Sequence, residues 1–326
     1  MFSDKGIKVY IHCGGGLGDV IQNYFANPQY HWLQMMKECP NEFPASDNVA
    51  SIWFRRLEDF KRYHRDASII VKAKCHNFAV KEFFEYHPCI ERVDLIEYSN
   101  DDPEWYMREY DGYKNIHLLN DDNFDNNSYL EYIPSYPKVY MNYSEEQEKR
   151  FIDFITASNY IVLHPFAGAK NREVLDQDQY DKLIDELVKF GYNVVIVGGS
   201  YKRNMVNNKS LKLEIYDRDD DEYVVNLVNR ATVRFAVNLV LFSKGFIGTH
   251  SCMFLPASFA RKRSICFLPE LTDGNEYWSD IIKANNNPTC WGLNQDFCKW
   301  FVIKDGKLSD EIINEIIDWF VFGGEI

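Results

Sequence analysis

The chain has 326 residues, too many for one small core and enough for two domains of roughly 150 residues each. At 46% hydrophobic and 26% charged it is balanced like an ordinary globular protein, and no run nears the eighteen or so apolar residues of a membrane span. Its formal net charge of −13 sets it against nucleic acid unless positive charge is gathered locally.

The first predicted strand, 8–12, opens into CGGGLGDVIQNYF and a helix. Nothing before it pairs a basic segment with an apolar core, so no signal peptide is expected. Glycines at 14, 15, 16 and 18 let the backbone turn sharply and approach another group closely. The spacing is GxGxG rather than the GxGxxG of a dinucleotide site, and no acidic residue follows a second strand about twenty positions on. The turn presents Asp19 at a helix start, where a carboxylate either caps the helix or takes a proton. Residues 40–67 give a weak signal. Arg55, Arg56, Lys61, Arg62 and Arg65 lie there among aromatic residues, as a solvated face or a basic wall for an anionic acceptor. Alternation resumes with strand 68–73, helix 77–86, strand 92–96 and strand 115–119; DDNFDNNS at 121–128 reads as a loop. An extended piece at 138–141 precedes a capping-box outline, Ser144 to Gln147, that starts a helix over 145–157. The domain boundary is placed here, giving α/β domains over 1–157 and 158–326.

The second half restarts with strand 160–164 and the turn PFAGAKNRE. Tyr180, Leu183, Ile184, Leu187 and Val188 recur at helical spacing within 178–190, and strand 193–197 ends in Gly198-Gly199-Ser200. Strand 212–216, the acidic loop DRDDDE at 217–222 and short helices over 223–242 follow. The loop is the nearest candidate for cation binding, although a solvated loop explains it equally. A βαβ unit covers 246–269: strand 245–247, a Gly-Thr-His-Ser turn at 248–251, a helix of small and apolar residues, and strand 264–268. So short a crossover packs its helix on a parallel sheet and puts the turn at the carboxyl edge, where open α/β sheets bind ligands. The first helix amides, around Ser251, Cys252 and Met253, suit a phosphate there; the alternative is an ordinary crossover helix capped by Ser251 or Thr249. The last helix, 309–320, is amphipathic and available to pack back on the amino-terminal domain. Eight scattered cysteines without a CxxC pair suit buried thiols in a reducing, cytoplasmic compartment.

These segments resemble the glycosyltransferases of the GT-B fold, and among them the ADP-heptose:lipopolysaccharide heptosyltransferase family. GLGDVIQ at 16–22 is similar to the family's GxGD turn, YIVLHPFAGAKNR at 160–172 to its strand ending in HPG, and GYNVVIVGGS at 191–200 to its next strand and glycine turn. Residues 225–260 are similar to its leucine-rich helices, DSGxxH turn and alanine-rich helix. The resemblance implies two Rossmann-like α/β domains facing across a cleft. It makes Asp19 the base that activates the acceptor, presented by Gly16 and Gly18. It places the donor diphosphate on the carboxyl-terminal domain, near His164, Gly198, Gly199, Thr249, His250, Ser251, Cys252 and Met253, with Lys170 or Arg172 as the phosphate-binding cation. Two departures stand out: HPF replaces HPG, and GTHSCMF replaces DSGxxH, which moves the imidazole to His250 and puts heptose as donor sugar in question.

The expected function is therefore transfer of a sugar from a nucleotide-diphosphate donor to an acceptor hydroxyl, inverting and without a metal or further cofactor. The acceptor implied is a cell-surface glycan or lipopolysaccharide core. Peripheral membrane contact is allowed, and no stable nucleic-acid complex is expected. A phage-type DNA glycosyltransferase, a sugar-nucleotide epimerase and a non-catalytic nucleotide-sugar-binding protein are the alternatives.

Overall fold

A computed structural model describes residues 8–13, 33–36, 49–52, 65–66, 68–74, 78–85, 87, 89–96, 116–117, 153–154, 159–166, 175–198, 218, 221–269 and 297–323. The chain divides into two compact units, Met1–Ser128 with Pro134–Tyr136, and Tyr129–Ile133 with Pro137–Ile326.

The first unit holds β1 (Lys8–Cys13), β2 (Leu33–Met36), β3 (Val49–Ile52), β4 (Ser68–Lys74), α1 (Phe78–Glu85), β5 (Arg92–Ile96) and β6 (Ile116–His117). Four of the strands form a parallel sheet in the order β5-β4-β1-β6. β4 reads as a nearly continuous apolar run because a parallel strand is covered on both faces, and Ile69, Ile70, Val71 and Ala73 are all buried. On α1, Val80, Phe83 and Phe84 fall on one face at helical spacing and are buried too. β2 and β3 pair antiparallel outside this sheet. The weak signal over 40–67 had not revealed β3.

The second unit holds β7 (Tyr160–His164), α2 (Gln177–Lys189), β8 (Asn193–Ile196), β9 (Val224–Asn226), α3 (Val233–Phe242), β10 (Gly245–Thr249), α4 (Phe254–Phe259), β11 (Arg263–Pro269), β12 (Cys298–Ile303) and α5 (Asp310–Val321). Its six strands are all parallel, in the order β12-β11-β10-β7-β8-β9. Three helices start on side-chain caps: Asp176 accepts from the Gln179 amide at 3.1 Å, Thr232 from Phe235 at 3.2 Å and Ser309 from Ile312 at 3.3 Å. Each such cap is worth about 1 kcal/mol. Tyr180, Leu183, Ile184 and Leu187 of α2 join Ile313, Ile316, Ile317 and Phe320 of α5 in one core with the strands. The apolar face of the last helix is thus spent on the core of its own unit, where docking on the amino-terminal domain had been considered.

The α/β class with parallel sheets is as expected, and the differences are local. Residues 224–226 are a strand, where short helices were expected from 223 on: Val224 and Val225 are β-branched, and both are buried beside β8. β12 was not anticipated; its CKWFVI pairs with β11 along its whole length. The expected extended pieces at 138–141 and 212–216 lie outside the described residues. Among those described, no helix is long and apolar enough to cross a membrane.

Candidate functional site

In the second sheet the chain adds β8 and then β9 on one side of β7, and afterwards β10, β11 and β12 on the other. The direction of addition reverses between β7 and β10. Beyond the carboxyl ends of two such strands the crossover chains diverge to opposite faces and leave a crevice, which is where open parallel sheets take their ligands. His164 ends β7 and is in register with Gly248 of β10. Sequence segments far apart in the chain, HPF, Gly198 and GTHSCMF, therefore meet at one edge.

Side chains tie this edge together. Thr249 Oγ1 donates to the Phe166 carbonyl at 3.0 Å, and Ser251 Oγ shares a hydrogen bond of 3.1 Å with His164 Nδ1. All three polar side chains are buried. Burial holds the His164 imidazole down at about 4, so it is neutral at pH 7. Phe166 packs edge-on to His164 with ring centroids 6.2 Å apart. Gly198, beyond β8, has φ of 145° and lies against Phe166: a Cβ there would come within 2.4 Å of the ring. Gly248 is needed for room, since a Cβ would stand 2.5 Å from the His164 carbonyl oxygen. His250 follows β10, its amide bonded to the Phe267 carbonyl at 3.3 Å and its buried ring 6.2 Å from that of Phe254.

The turn differs from expectation. β10 continues through Thr249, so Gly248 and Thr249 are strand residues and the turn spans 250–253. Neither Thr249 nor Ser251 caps the following helix: both hydroxyls are buried and are satisfied by the neighbouring strand's exit instead. Met253 stands at the cap position of α4 without a side-chain bond, and α4 has only six residues. The Phe254 and Leu255 amides are spent on the Ser251 and Cys252 carbonyls, so an anion would have to be met by the turn itself and not by the first turn of the helix.

Of the residues singled out from the sequence, the structure brings together His164, Gly198, Thr249, His250, Ser251, Cys252 and Met253. Gly16, Gly18, Asp19, Lys170, Arg172 and Gly199 lie outside the described residues. β1 nevertheless delivers the chain toward the glycine-rich turn from a comparable place. In the first sheet β4 and β5 lie on one side of β1 and β6 on the other, and Asp19 follows six residues after Cys13.

Two arginines were missed. Arg230 donates to the Asn226 carbonyl at 3.1 Å just past β9, and Arg234 is buried in the first turn of α3. The signal was available, because residues 223–269 contain no carboxylate in a chain of net charge −13, while carrying Arg230, Arg234, Lys244, Arg261, Lys262 and Arg263. By contrast, the acidic loop has a cation of its own. Arg218 binds Asp185 at 3.0 Å, Asp181 at 3.3 Å and also Asp221, which fastens the loop to α2.

No protein-family model matches the chain, and no curated protein matches its sequence. Among solved structures it is similar to E. coli ADP-heptose LPS heptosyltransferase II, at 11% identity, 97% of this chain, 99% of that one and a TM-score of 0.48. A family 9 glycosyl transferase from Veillonella parvula is similar at 10% identity, 98% of each chain and 0.47. E. coli heptosyltransferase WaaC with ADP is similar at 11% identity, 98% of this chain, 100% of that one and 0.47.

Proposed function

We propose that the chain is a glycosyltransferase that moves a sugar from a nucleotide-diphosphate donor to an acceptor hydroxyl. The observation that carries this reading is the reversal of strand order between β7 and β10, with His164, Thr249 and Ser251 gathered at the carboxyl ends of those two strands. An anionic donor is favoured by Arg230, just past the carboxyl end of β9, and Arg234, in the first turn of α3, in a stretch, 223–269, that holds no carboxylate. His164 positions: neutral, buried and bonded to Ser251, it holds the exits of β7 and β10 in register and puts no charge of its own on the donor.

Glycosyl transfer builds positive charge on the sugar carbon and negative charge on the departing diphosphate. The amides of Ser251, Cys252 and Met253, with Lys170 or Arg172, neutralise the leaving group and do so most strongly as the bond breaks. Asp19 takes the proton of the attacking hydroxyl, which enters opposite the leaving group and inverts the centre. Metal is not required where fixed cations and amides meet the diphosphate. A glycan hydroxyl, as on a cell-surface or lipopolysaccharide core, is the acceptor class that the motif resemblance favours.

The test is a thermal-shift screen of ADP-, UDP-, GDP- and CMP-linked sugars followed by turnover with the donor found. One nucleotide class should raise Tm, and Asp19→Asn should keep donor affinity while losing about a hundredfold or more in turnover. No shift with any donor would reject the reading. Normal turnover by the Asn variant would make Asp19 a helix cap, whose replacement by Asn costs almost nothing.

A further inference from the structure

The exits of four strands in the second sheet are bound to one another in a row. The Leu227 amide, just past β9, donates to the Ile196 carbonyl of β8 at 2.8 Å, and the Asn229 amide donates to the Gly198 carbonyl at 2.9 Å. Gly198 lies against Phe166 beyond β7, and the Phe166 carbonyl takes the hydroxyl of Thr249 at the end of β10. In the order β10-β7-β8-β9 the row crosses three strand spacings, about 14 Å. That is the reach of an extended nucleoside diphosphate from its outer phosphate to the far edge of its base. Gly198 adds no side chain to the path over β8. A donor whose diphosphate meets the turn at 250–253, and which spans the crevice toward β9, therefore brings its base to the turn over 226–231.

That turn is tightly built and ends in a cation. The Val228 amide donates to Asn226 Oδ1 at 3.1 Å and the Arg230 amide to the Leu227 carbonyl at 2.9 Å, with Leu227 and Val228 buried beneath. Asn229 is exposed with φ of 60°, a left-handed conformation that asparagine tolerates better than most residues. The half-buried Arg230 side chain folds back, and its Nη1 donates to the Asn226 carbonyl at 3.1 Å. This anchors the guanidinium at the carboxyl end of β9 and uses one of its five N–H groups.

We propose that Arg230 reads the base of the donor and that this base is guanine. The inference rests on the nucleotide-diphosphate reading above and narrows it. A guanidinium only donates, in a planar fork, and guanine is the purine with two acceptors side by side, O6 and N7. Adenine sets an amino group beside its N7, so donor would face donor and one group would lose its partner. Uracil and cytosine are one ring shorter and end before Arg230 in the same pose. A side chain that merely braced Asn226 would act on every nucleotide alike.

The test is calorimetric titration of the full chain with GDP, ADP, UDP and CDP, without sugar or acceptor. GDP should bind about tenfold or more tighter than ADP, the scale of one good bidentate pair. Two analogues probe the edge that is read without changing the protein. IDP, which keeps O6 and N7, should match GDP, whereas 7-deaza-GDP should lose about fivefold or more with its N7 acceptor. Arg230→Gln should bring GDP to within about threefold of ADP while ADP binds as before. Equal affinity for GDP and ADP, or a pyrimidine nucleotide bound more tightly than GDP, would overturn the guanine assignment. So would 7-deaza-GDP binding as well as GDP, or a variant that weakens all four nucleotides equally. Binding by none of the four would remove the nucleotide-diphosphate reading itself, which keeps the two failures distinct.

Discussion

His164 makes the candidate site measurable through pH. In the unfolded chain its imidazole titrates near 6.5, whereas burial at the end of β7 holds it at about 4. As pH falls through 6.5 the unfolded state takes up a proton that the native state refuses, so stability is complete above 6.5 and declines until pH reaches about 4. The difference is worth about 3 kcal/mol, a large part of the 5–15 kcal/mol that typically holds a domain together. His164→Asn removes the titration and keeps a nitrogen near the place of Nδ1, within reach of Ser251 Oγ. The variant should be less stable than the parent at pH 7, because it leaves space behind, but its stability should fall less steeply toward pH 4. Urea unfolding of both proteins at several pH values between 7 and 4 measures this, and other titrating groups cancel in the comparison. Parallel profiles would refute the reasoning: the imidazole would then be reached by water, and Ser251 would not be holding a neutral ring.

Gly248→Ala should destabilise by about 1–3 kcal/mol in the same urea assay, because the methyl would meet the His164 carbonyl oxygen at 2.5 Å and backbone of a paired strand cannot step aside. Gly191→Ala is the contrast: its φ is 83° but the space beside it is open, so the cost should be only the left-handed conformation, about 1 kcal/mol. Replacing Lys170 or Arg172 by Ala should lower turnover roughly ten- to a thousandfold for whichever meets the diphosphate, with a smaller effect on donor affinity. If neither change does so, the turn amides hold the diphosphate alone.

Periodicity carried most of the fold. β7 has the predicted limits, because a parallel strand covered on both faces must be apolar throughout and is bounded by polar residues; β5, an edge strand of partial burial, has them too. The GTHS segment was placed correctly at a strand's carboxyl edge, yet its boundary was drawn too early. Glycine suggested a turn, whereas Gly248 is there so that β10 can lie close to β7. Thr249 and Ser251 looked like helix caps, and no local pattern could reveal that their partners would be Phe166 and His164, more than 80 residues away. Arg234 escaped for a related reason: on a helix an arginine reads as a solvent-facing residue, and only the neighbouring strands decide that it is buried.

The strand order also governs how the second unit can be made. β7 and β8 are separated by a single helix and can pair as soon as they leave the ribosome, but the other edge of β7 has to wait for β10, about 80 residues later. Closing so long a loop is slow, because its entropy is lost before the contacts that repay it exist. During that interval Ile161 and Leu163 lie in a strand with one row of backbone groups unpaired, the arrangement most prone to join another chain. A nascent protein halted before Gly245 would therefore be the species that chaperones bind, and a ribosome slowing within 165–244 would lengthen its exposure.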